Sequence, residues 1–198
     1  MAVKSKNKNI IPLLSFIAEA GILKYIPRSG WLLLGIKQPE SVAEHSFRCA
    51  IIGYLLACME ESNAEKVLIM TLFNDIHEAR ITDMHKMAQR YINATVAEDK
   101  SFSEQMENLP NKIGTELLGL RAEYKRQKTK ESIISRDADI LECLIQAKEY
   151  YDKGFRQAKD FMKKAPRFLK TSSARTLWKQ TKTRNINIWW HKFSDFKR

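Results

Sequence analysis

The feature that most restricts the fold of this chain is residues 71–83, Thr-Leu-Phe-Asn-Asp-Ile-His-Glu-Ala-Arg-Ile-Thr-Asp. Asn74, Asp75, His77, Glu78 and Asp83 crowd into ten residues, directly after Val67, Leu68, Met70, Leu72 and Phe73. Apolar residues at intervals of three and four mark the buried stripe of a helix. Polar groups that close to a core face have to be paired or presented to something. On a helix, Asp75 and Glu78 share a face, as do Asn74 and Glu78. The β-branched pair Ile81-Thr82 weakens the helix just before Asp83. Taken alone, these charges also fit a solvated helix face. Two further stretches weigh against that reading: Ser41-Val-Ala-Glu-His45 and Asp137-Ala-Asp139.

The 198 residues suffice for one domain with a substantial core. A composition of 44% hydrophobic and 29% charged residues describes a globular chain, not a disordered one. No apolar run reaches the roughly 18 residues of a membrane span. The N-terminus is polar and basic, and the apolar residues 10–14 after it are too short for a signal h-region. The expectation is a cytoplasmic protein with no membrane association. Cys49, Cys58 and Cys143 lie in apolar-periodic segments without CxxC spacing, so they read as small core residues. Charge is uneven: residues 163–198 hold 11 Lys and Arg against the single acid Asp195, a net +10 of the chain's +11. That segment also carries Trp178, Trp189, Trp190, Phe193 and Phe196. Basic groups interleaved with aromatics can hold phosphates and stack bases, so nucleic acid is a candidate partner there. The alternative is a terminal helix whose tryptophans pack on the domain and whose lysines are solvated.

Spacing predicts a helix over 11–23, with Leu14, Ile17, Ala18 and Gly21 on one stripe. A loop punctuated by Pro27 and Gly30 follows, then a short extended piece over 32–36. Ser41 and Glu44 form a capping box for a helix to about Met59, with Val42, Phe47, Ala50, Ile51, Tyr54, Leu55 and Cys58 as its apolar side. One helix is expected over 64–80 and a short one over 84–91. Residues 93–103 read as a mobile connection. Further helices are expected over 110–128, 132–151, 158–163 and 172–179. With no strand-rich region, repeat or Gly-rich phosphate loop, the fold class is all-α.

His45, Asp75 and Asp139 fall on three different predicted helices, each beside core-facing residues. One buried acid is usually paired with a base; two acids and a His from separate helices point to a divalent cation among them. For each residue alone, a satisfied core or surface role remains open, and Asp137 and Asp139 could simply pair with Arg136 and Arg80.

The chain resembles the HD-domain phosphohydrolases, in the branch of 5′-deoxynucleotidases. The resemblance runs over about residues 17–150. It rests on Pro27-Arg-Ser-Gly-Trp31, Pro39-Glu-Ser-Val-Ala-Glu-His45, Asn74-Asp-Ile-His-Glu-Ala-Arg-Ile-Thr-Asp83 and Asp137-Ala-Asp-Ile-Leu-Glu142. It implies a single helical HD-domain bundle over 11–162, preceded by a polar tail (1–10) and followed by a basic, aromatic-rich helical extension (163–198). It implies one divalent ion (Mn, Co, Zn or Mg), a nucleoside monophosphate substrate and a homodimer. Carried over, it makes His45, Asp75 and Asp139 metal ligands together with position 74. Glu78 would handle the attacking water, and Asp83 would sit at the sugar or assist proton transfer. Arg28 would meet the phosphate, and Trp31 would shape the deoxyribose side.

One position departs from the family pattern. The His expected before Asp75 is Asn74, whose amide oxygen is a poorer transition-metal ligand than an imidazole nitrogen. His77 lies three residues on, roughly 60° round a helix, and reads as a rim residue; His85 reads as a surface one. The expected activity is therefore metal-dependent removal of phosphate from (deoxy)nucleoside 5′-monophosphates. The alternative is a degenerate member that binds nucleotide or nucleic acid without efficient catalysis.

Overall fold

The helix signals are met by ten α-helices in the computed structural model, which describes residues 10–193. They are α1 (Ile10–Ile22), α2 (Ser29–Leu32), α3 (Val42–Met59), α4 (Ala64–Leu72) and α5 (Glu78–Ile81). Then follow α6 (Ala94–Glu107), α7 (Asn111–Arg126), α8 (Lys130–Asp152), α9 (Lys159–Lys164) and α10 (Ser172–Thr183). Among the described residues there is no strand, only an isolated bridge between Pro27 and Ser41. Residues 1–9 of the expected polar tail (1–10), and Phe196, lie outside the described residues; Ile10 begins α1.

The capping box stands as expected: Ser41 Oγ accepts from Glu44 N, and Glu44 Oε2 accepts from Ser41 N. It fixes the start of α3, one turn before His45. Two backbone bonds, Arg28 N to Glu40 O at 2.9 Å and Val42 N to Ile26 O at 2.8 Å, tie the loop that carries Arg28 to the same place. The main core joins α3, α4, α8 and α10 through Ile52, Leu56, Val67, Ile134, Leu141, Leu144, Leu169 and Trp178. A second cluster, of Leu23, Ile26, Val42, Ile76, Phe102, Met106 and Leu117, lies under α6 and α7. Those two helices approach so closely that a Cβ at Gly114 would stand 2.4 Å from the Met106 carbonyl oxygen, so only glycine fits.

Several expectations are corrected. The helix expected over 64–80 breaks at residues 73–77 and restarts as α5. Residues 93–103 are not a loop: Asn93 accepts from Val96 N and caps α6. The buried face of α6 includes Ser101 and Gln105, whose polarity hides its periodicity. Residues 32–36 are not extended: Leu32 ends α2 and a turn follows over 33–35; only a 3₁₀ turn at Ala88–Arg90 forms within 84–91. On α1 the inward residues are Leu13, Phe16 and Ala20, while Leu14 and Ile17 face out. On α3 the inward face is Val42, His45, Cys49, Ile52 and Leu56. Phe47, Ile51, Tyr54, Leu55 and Cys58 are exposed, so Cys58 is not a core residue. At 18 residues and a mean hydropathy of 1.2, α3 does reach the length and composition of a membrane span, contrary to the expectation that no apolar run does.

The expected boundary at residue 162 falls inside α9. Beyond it the chain stays attached to the bundle. Asp137, fully buried, accepts from Lys170 N, Thr171 N and the Thr171 hydroxyl. Leu169, Ala174 and Trp178 enter the main core, whereas Trp189, Trp190 and Phe193 are exposed.

Candidate metal centre

The break at residues 73–77 builds the site. Residues with helical spacing leave the helix there and close short turns, with Glu78 N bonded to Asp75 O at 3.0 Å. The carbonyls of these turns take further donors from later helices, Ile76 O beside Ala79 N at 3.2 Å and His77 O beside Arg80 N at 3.1 Å. Gln105 Nε2 donates to Ile76 O at 3.1 Å, Ser101 Oγ to His77 O at 3.1 Å, and Arg121 Nη1 to Asn74 O at 3.2 Å. The polar face of α6 therefore supports the turn that carries Asn74, Asp75 and His77. At the far end of α5, Thr82 sits at φ 62°, an uncommon angle for a β-branched residue, and turns the chain toward Asp83.

The three residues expected to meet do so. His45 Nε2 lies 3.4 Å from Asp75 Oδ2 and 3.4 Å from Asp139 Oδ1. Its other ring nitrogen, Nδ1, contacts Glu142 Oε2 at 2.5 Å. Arg48 donates to Glu142 Oε1 through Nε at 2.9 Å and Nη2 at 2.7 Å. Both oxygens of Glu142 are thus engaged, and the carboxylate holds the Nδ1 proton so that Nε2 faces the two aspartates. A carboxylate behind a ligating histidine commonly has this orienting role. Glu40, His45 and Glu142 also lie close enough to form a three-ligand group. Arg48 already occupies Glu142, and a second cation beside that guanidinium would be repelled, so the Nε2 side is the one where an ion would be favoured. Glu142 lies in the Asp137–Glu142 motif, but its role follows only from the packing of α8 on α3, which brings it to His45 and Arg48.

The electrostatics are those of a cluster short of positive charge. Burial and Arg28 work against a charged His45, but Glu142, Asp139 and Asp75 together hold its pKa well above the ordinary value. Burial alone would push Asp75 up; His45 and Arg28 instead hold it far below the carboxylate range. Asp139 is likewise lowered against burial, by His45 and by Arg136, whose Nη1 donates to its Oδ2 at 2.9 Å. A protonated imidazole at the meeting point of two carboxylates stands where a divalent ion would compensate the same charge. One imidazole nitrogen with two carboxylates suits Mn, Co or Zn, so the donor set fits such an ion.

Asn74 is half-buried and lines the cleft, and its Nδ2 donates to Asp75 Oδ1 at 2.6 Å. Glu78 is buried, and its Oε2 has no hydrogen-bond partner. Burial, with Asp75 and Asp83 nearby, raises its pKa well above the ordinary value. Arg28 Nη1 donates to Asp75 Oδ2 at 3.3 Å, and its Nε lies 3.7 Å from Asp83 Oδ2. Asp83 Oδ2 also accepts from Ser29 N at 2.7 Å, so this carboxylate ties the Arg28 loop to the turn after α5. Trp31 is 3% exposed and spends its Nε1 proton on Glu40 Oε1 at 2.8 Å, leaving only the ring to face the cleft.

His77 is not a rim residue: it is 4% exposed and faces the Asn74 carbonyl and Arg121. Burial, with Arg121 alongside, lowers its pKa to about 4, so it is neutral at pH 7. His85 lines the cleft and accepts from Ala88 N at 3.1 Å. Above these groups opens a cleft of about 480 Å³. Its lining includes Gly30, Trp31, Leu33 and Phe161, with the Trp31 and Phe161 rings in contact, and the basic residues Lys86, Arg121 and Lys125.

Comparison with known proteins agrees with this geometry. The model of the HD domain matches residues 20–184. The chain belongs to the HD-domain family. It is 31% identical over 146 residues to the 5′-deoxynucleotidase HDDC2 of Dictyostelium discoideum, covering 69% of this chain and 76% of that one. It is 30% identical over 139 residues to the 5′-deoxynucleotidase HDDC2 of Xenopus laevis, covering 70% and 69%. Among solved structures, a conserved hypothetical protein from Pyrococcus furiosus superposes with a TM-score of 0.74 at 33% identity, over 85% of this chain and 98% of that one.

Proposed function

We propose that this protein is a divalent-metal-dependent phosphohydrolase that releases phosphate from deoxynucleoside 5′-monophosphates. The observation that carries the reading is the convergence of His45 Nε2 on Asp75 and Asp139 at 3.4 Å, at the base of a cleft large enough for a nucleotide. His45, Asp75 and Asp139 would hold the ion, with Asn74 beside them. Such an ion supplies Lewis acidity toward phosphoryl oxygens and makes hydroxide available near neutral pH.

The remaining work falls to the chain's own groups. Arg28 presents its guanidinium fork to the phosphate, held in place by Asp83 and Asp75. Glu78 carries an unpartnered oxygen and an elevated proton affinity, which suits a group that takes a proton from the attacking water and returns it to the leaving oxygen. The Trp31, Leu33 and Phe161 wall offers no hydrogen-bonding group from the Trp31 indole, which favours a sugar without a 2′-hydroxyl. That preference has a physical basis: a buried hydroxyl left without a partner is costly.

The contact from Asn74 to Asp75 favours a second reading, in which nucleotide is held without efficient turnover, because the amide directs a donor rather than a lone pair toward the cluster. Phosphate release from a panel of deoxy- and ribonucleoside monophosphates, with Mn²⁺ or Co²⁺ supplied, separates the two. Turnover that is faster on deoxynucleotides and lost in Glu78→Gln supports the hydrolase. Nucleotide binding with no phosphate release from any member of the panel supports the second reading.

A further inference from the structure

The chain's positive charge collects in its C-terminal segment, and the metal centre leaves that charge unused. Residues 163–198 carry a net +10, and no Asp or Glu occurs between Lys163 and Phe193. Elsewhere on the surface basic side chains are answered by acids: Lys66 by Glu123, Arg80 by Glu19, Lys125 by Asp99 and Lys148 by Asp152. In the C-terminal segment, among the described residues, the one ion pair made by a Lys or Arg is Lys163 with Asp160 at 3.7 Å. Like charges gathered without counterions repel one another and weaken the compact state.

The fold presents these charges in a row. On α10, Arg175, Lys179 and Lys182 stand at i, i+4 and i+7, so they fall within roughly 60° of one another on one face. All three are exposed, as is Arg184 just past the helix. The other face of α10 is spent on the domain: Ala174 and Trp178 enter the main core and Leu177 packs against it. Beyond a 3₁₀ turn at Ile186–Ile188 come Trp189 and Trp190, 70% and 49% exposed. None of these residues lines the cleft.

We propose that α10 and the residues after it form a docking surface for single-stranded nucleic acid, with Arg175, Lys179, Lys182 and Arg184 against phosphates and Trp189 and Trp190 against bases. A row of unanswered cations calls for a polyanion. Three kinds of polyanion are at hand, and the surroundings choose among them. A helix lying on an anionic lipid surface buries its apolar face there, and α10 has already buried its own in the core. An acidic peptide would answer the cations but leave the two tryptophans without a role. Unpaired bases stack on exposed aromatic rings beside a basic track, whereas the bases of a duplex are already stacked on each other. The inference stands independently of the reaction assigned to the cleft.

The test is fluorescence anisotropy of a 3′-labelled oligothymidylate of about 20 nucleotides, long enough to span such a surface. A 5′-hydroxyl end offers the cleft no 5′-phosphate, so binding reports on the basic surface alone. Four phosphate contacts predict that affinity falls about 50-fold between about 50 and 200 mM salt. Replacing Lys179 and Lys182 together by Gln should weaken binding and lower the slope of log affinity against log salt by about 1.4, with helical circular dichroism unchanged. Replacing Trp189 and Trp190 together by Ala should weaken binding at least about fivefold at every salt concentration and leave the slope as it was. No binding at low salt, affinity independent of salt, or wild-type affinity in the double Lys variant would each overturn the proposal. So would displacement of the probe by polyglutamate as readily as by unlabelled oligothymidylate, which would assign the surface to an acidic protein. Binding to phosphatidylcholine–phosphatidylglycerol vesicles that excess oligothymidylate does not relieve would overturn it in favour of a lipid surface.

Discussion

Replacing Asn74 by His tests the position at which this chain departs from the family pattern. In the structure the Asn74 amide donates to Asp75 Oδ1 at 2.6 Å, so it occupies an aspartate lone pair and directs no lone pair of its own there. An imidazole at position 74 adds a nitrogen donor beside Asp75 and releases that oxygen. Removing a group that only orients a metal ligand costs about 10- to 100-fold in affinity. Adding a direct ligand should be worth at least about tenfold, or ~1.4 kcal/mol. The lost amide hydrogen bond subtracts about 1 kcal/mol of folding stability, not of metal affinity. Asn74 is half-buried at the cleft, which leaves room for the larger ring. Titration of both proteins with Mn²⁺ and Co²⁺ by calorimetry, followed by phosphate-release assays, reads the effect. The expected result is a Kd at least tenfold lower in Asn74→His, with turnover rising alongside. Equal affinities would refute the reasoning, because position 74 would then not reach the ion.

Two further predictions concern the turn that holds the site. Gln105→Ala removes the hydrogen bonds to Ile76 O and Glu19 Oε1, which keep Ala79 N and Arg80 as other donors, and should lower stability by about 1–2 kcal/mol in urea denaturation; an unchanged midpoint would show that the turn does not need α6. His77 contributes a pH dependence of definite sign. Its folded pKa of about 4 lies below the value of roughly 6.5 in an unfolded chain, so the unfolded state binds the extra proton between these limits. Stability is therefore intact above pH 6.5 and falls as the pH drops toward 4, by up to about 3 kcal/mol from this residue. Denaturant midpoints at pH 7 and 4.5 should converge more in His77→Gln than in wild type, and equal acid losses in the two proteins would contradict the assignment.

The sequence exposed some of this molecule and concealed the rest for identifiable reasons. α8 was readable because Ile134, Ala138, Leu141 and Leu144 repeat at helical spacing and are buried as that spacing implies. The start of α3 was readable from Ser41 and Glu44 alone. The break at 73–77 was not, because Ile76 continues the apolar rhythm of α4 and the cause of the break lies in Ser101, Gln105 and Arg121, far along the chain. α6 is hidden for the complementary reason: its inward residues include the polar Ser101 and Gln105, which bond the carbonyls of that turn. The outer face of α3 was misread as core, because periodicity reports which residues avoid water and not which surface covers them. At the site, His45, Asp75 and Asp139 were legible from motif order. The orienting pair Glu142 and Arg48 required the packing of α3 on α8.

The central claim is that the His45–Asp75–Asp139 cluster holds an ion on which phosphate release depends. The most direct measurement strips the protein with a chelator and then follows phosphate release from a deoxynucleoside 5′-monophosphate as Mn²⁺ or Co²⁺ is returned, in wild type and in Asp139→Asn. The expected result is no release from stripped wild type, recovery on adding metal, and no recovery in Asp139→Asn at the same metal concentration. Full activity in the stripped protein, or equal recovery in the two forms, would contradict the account.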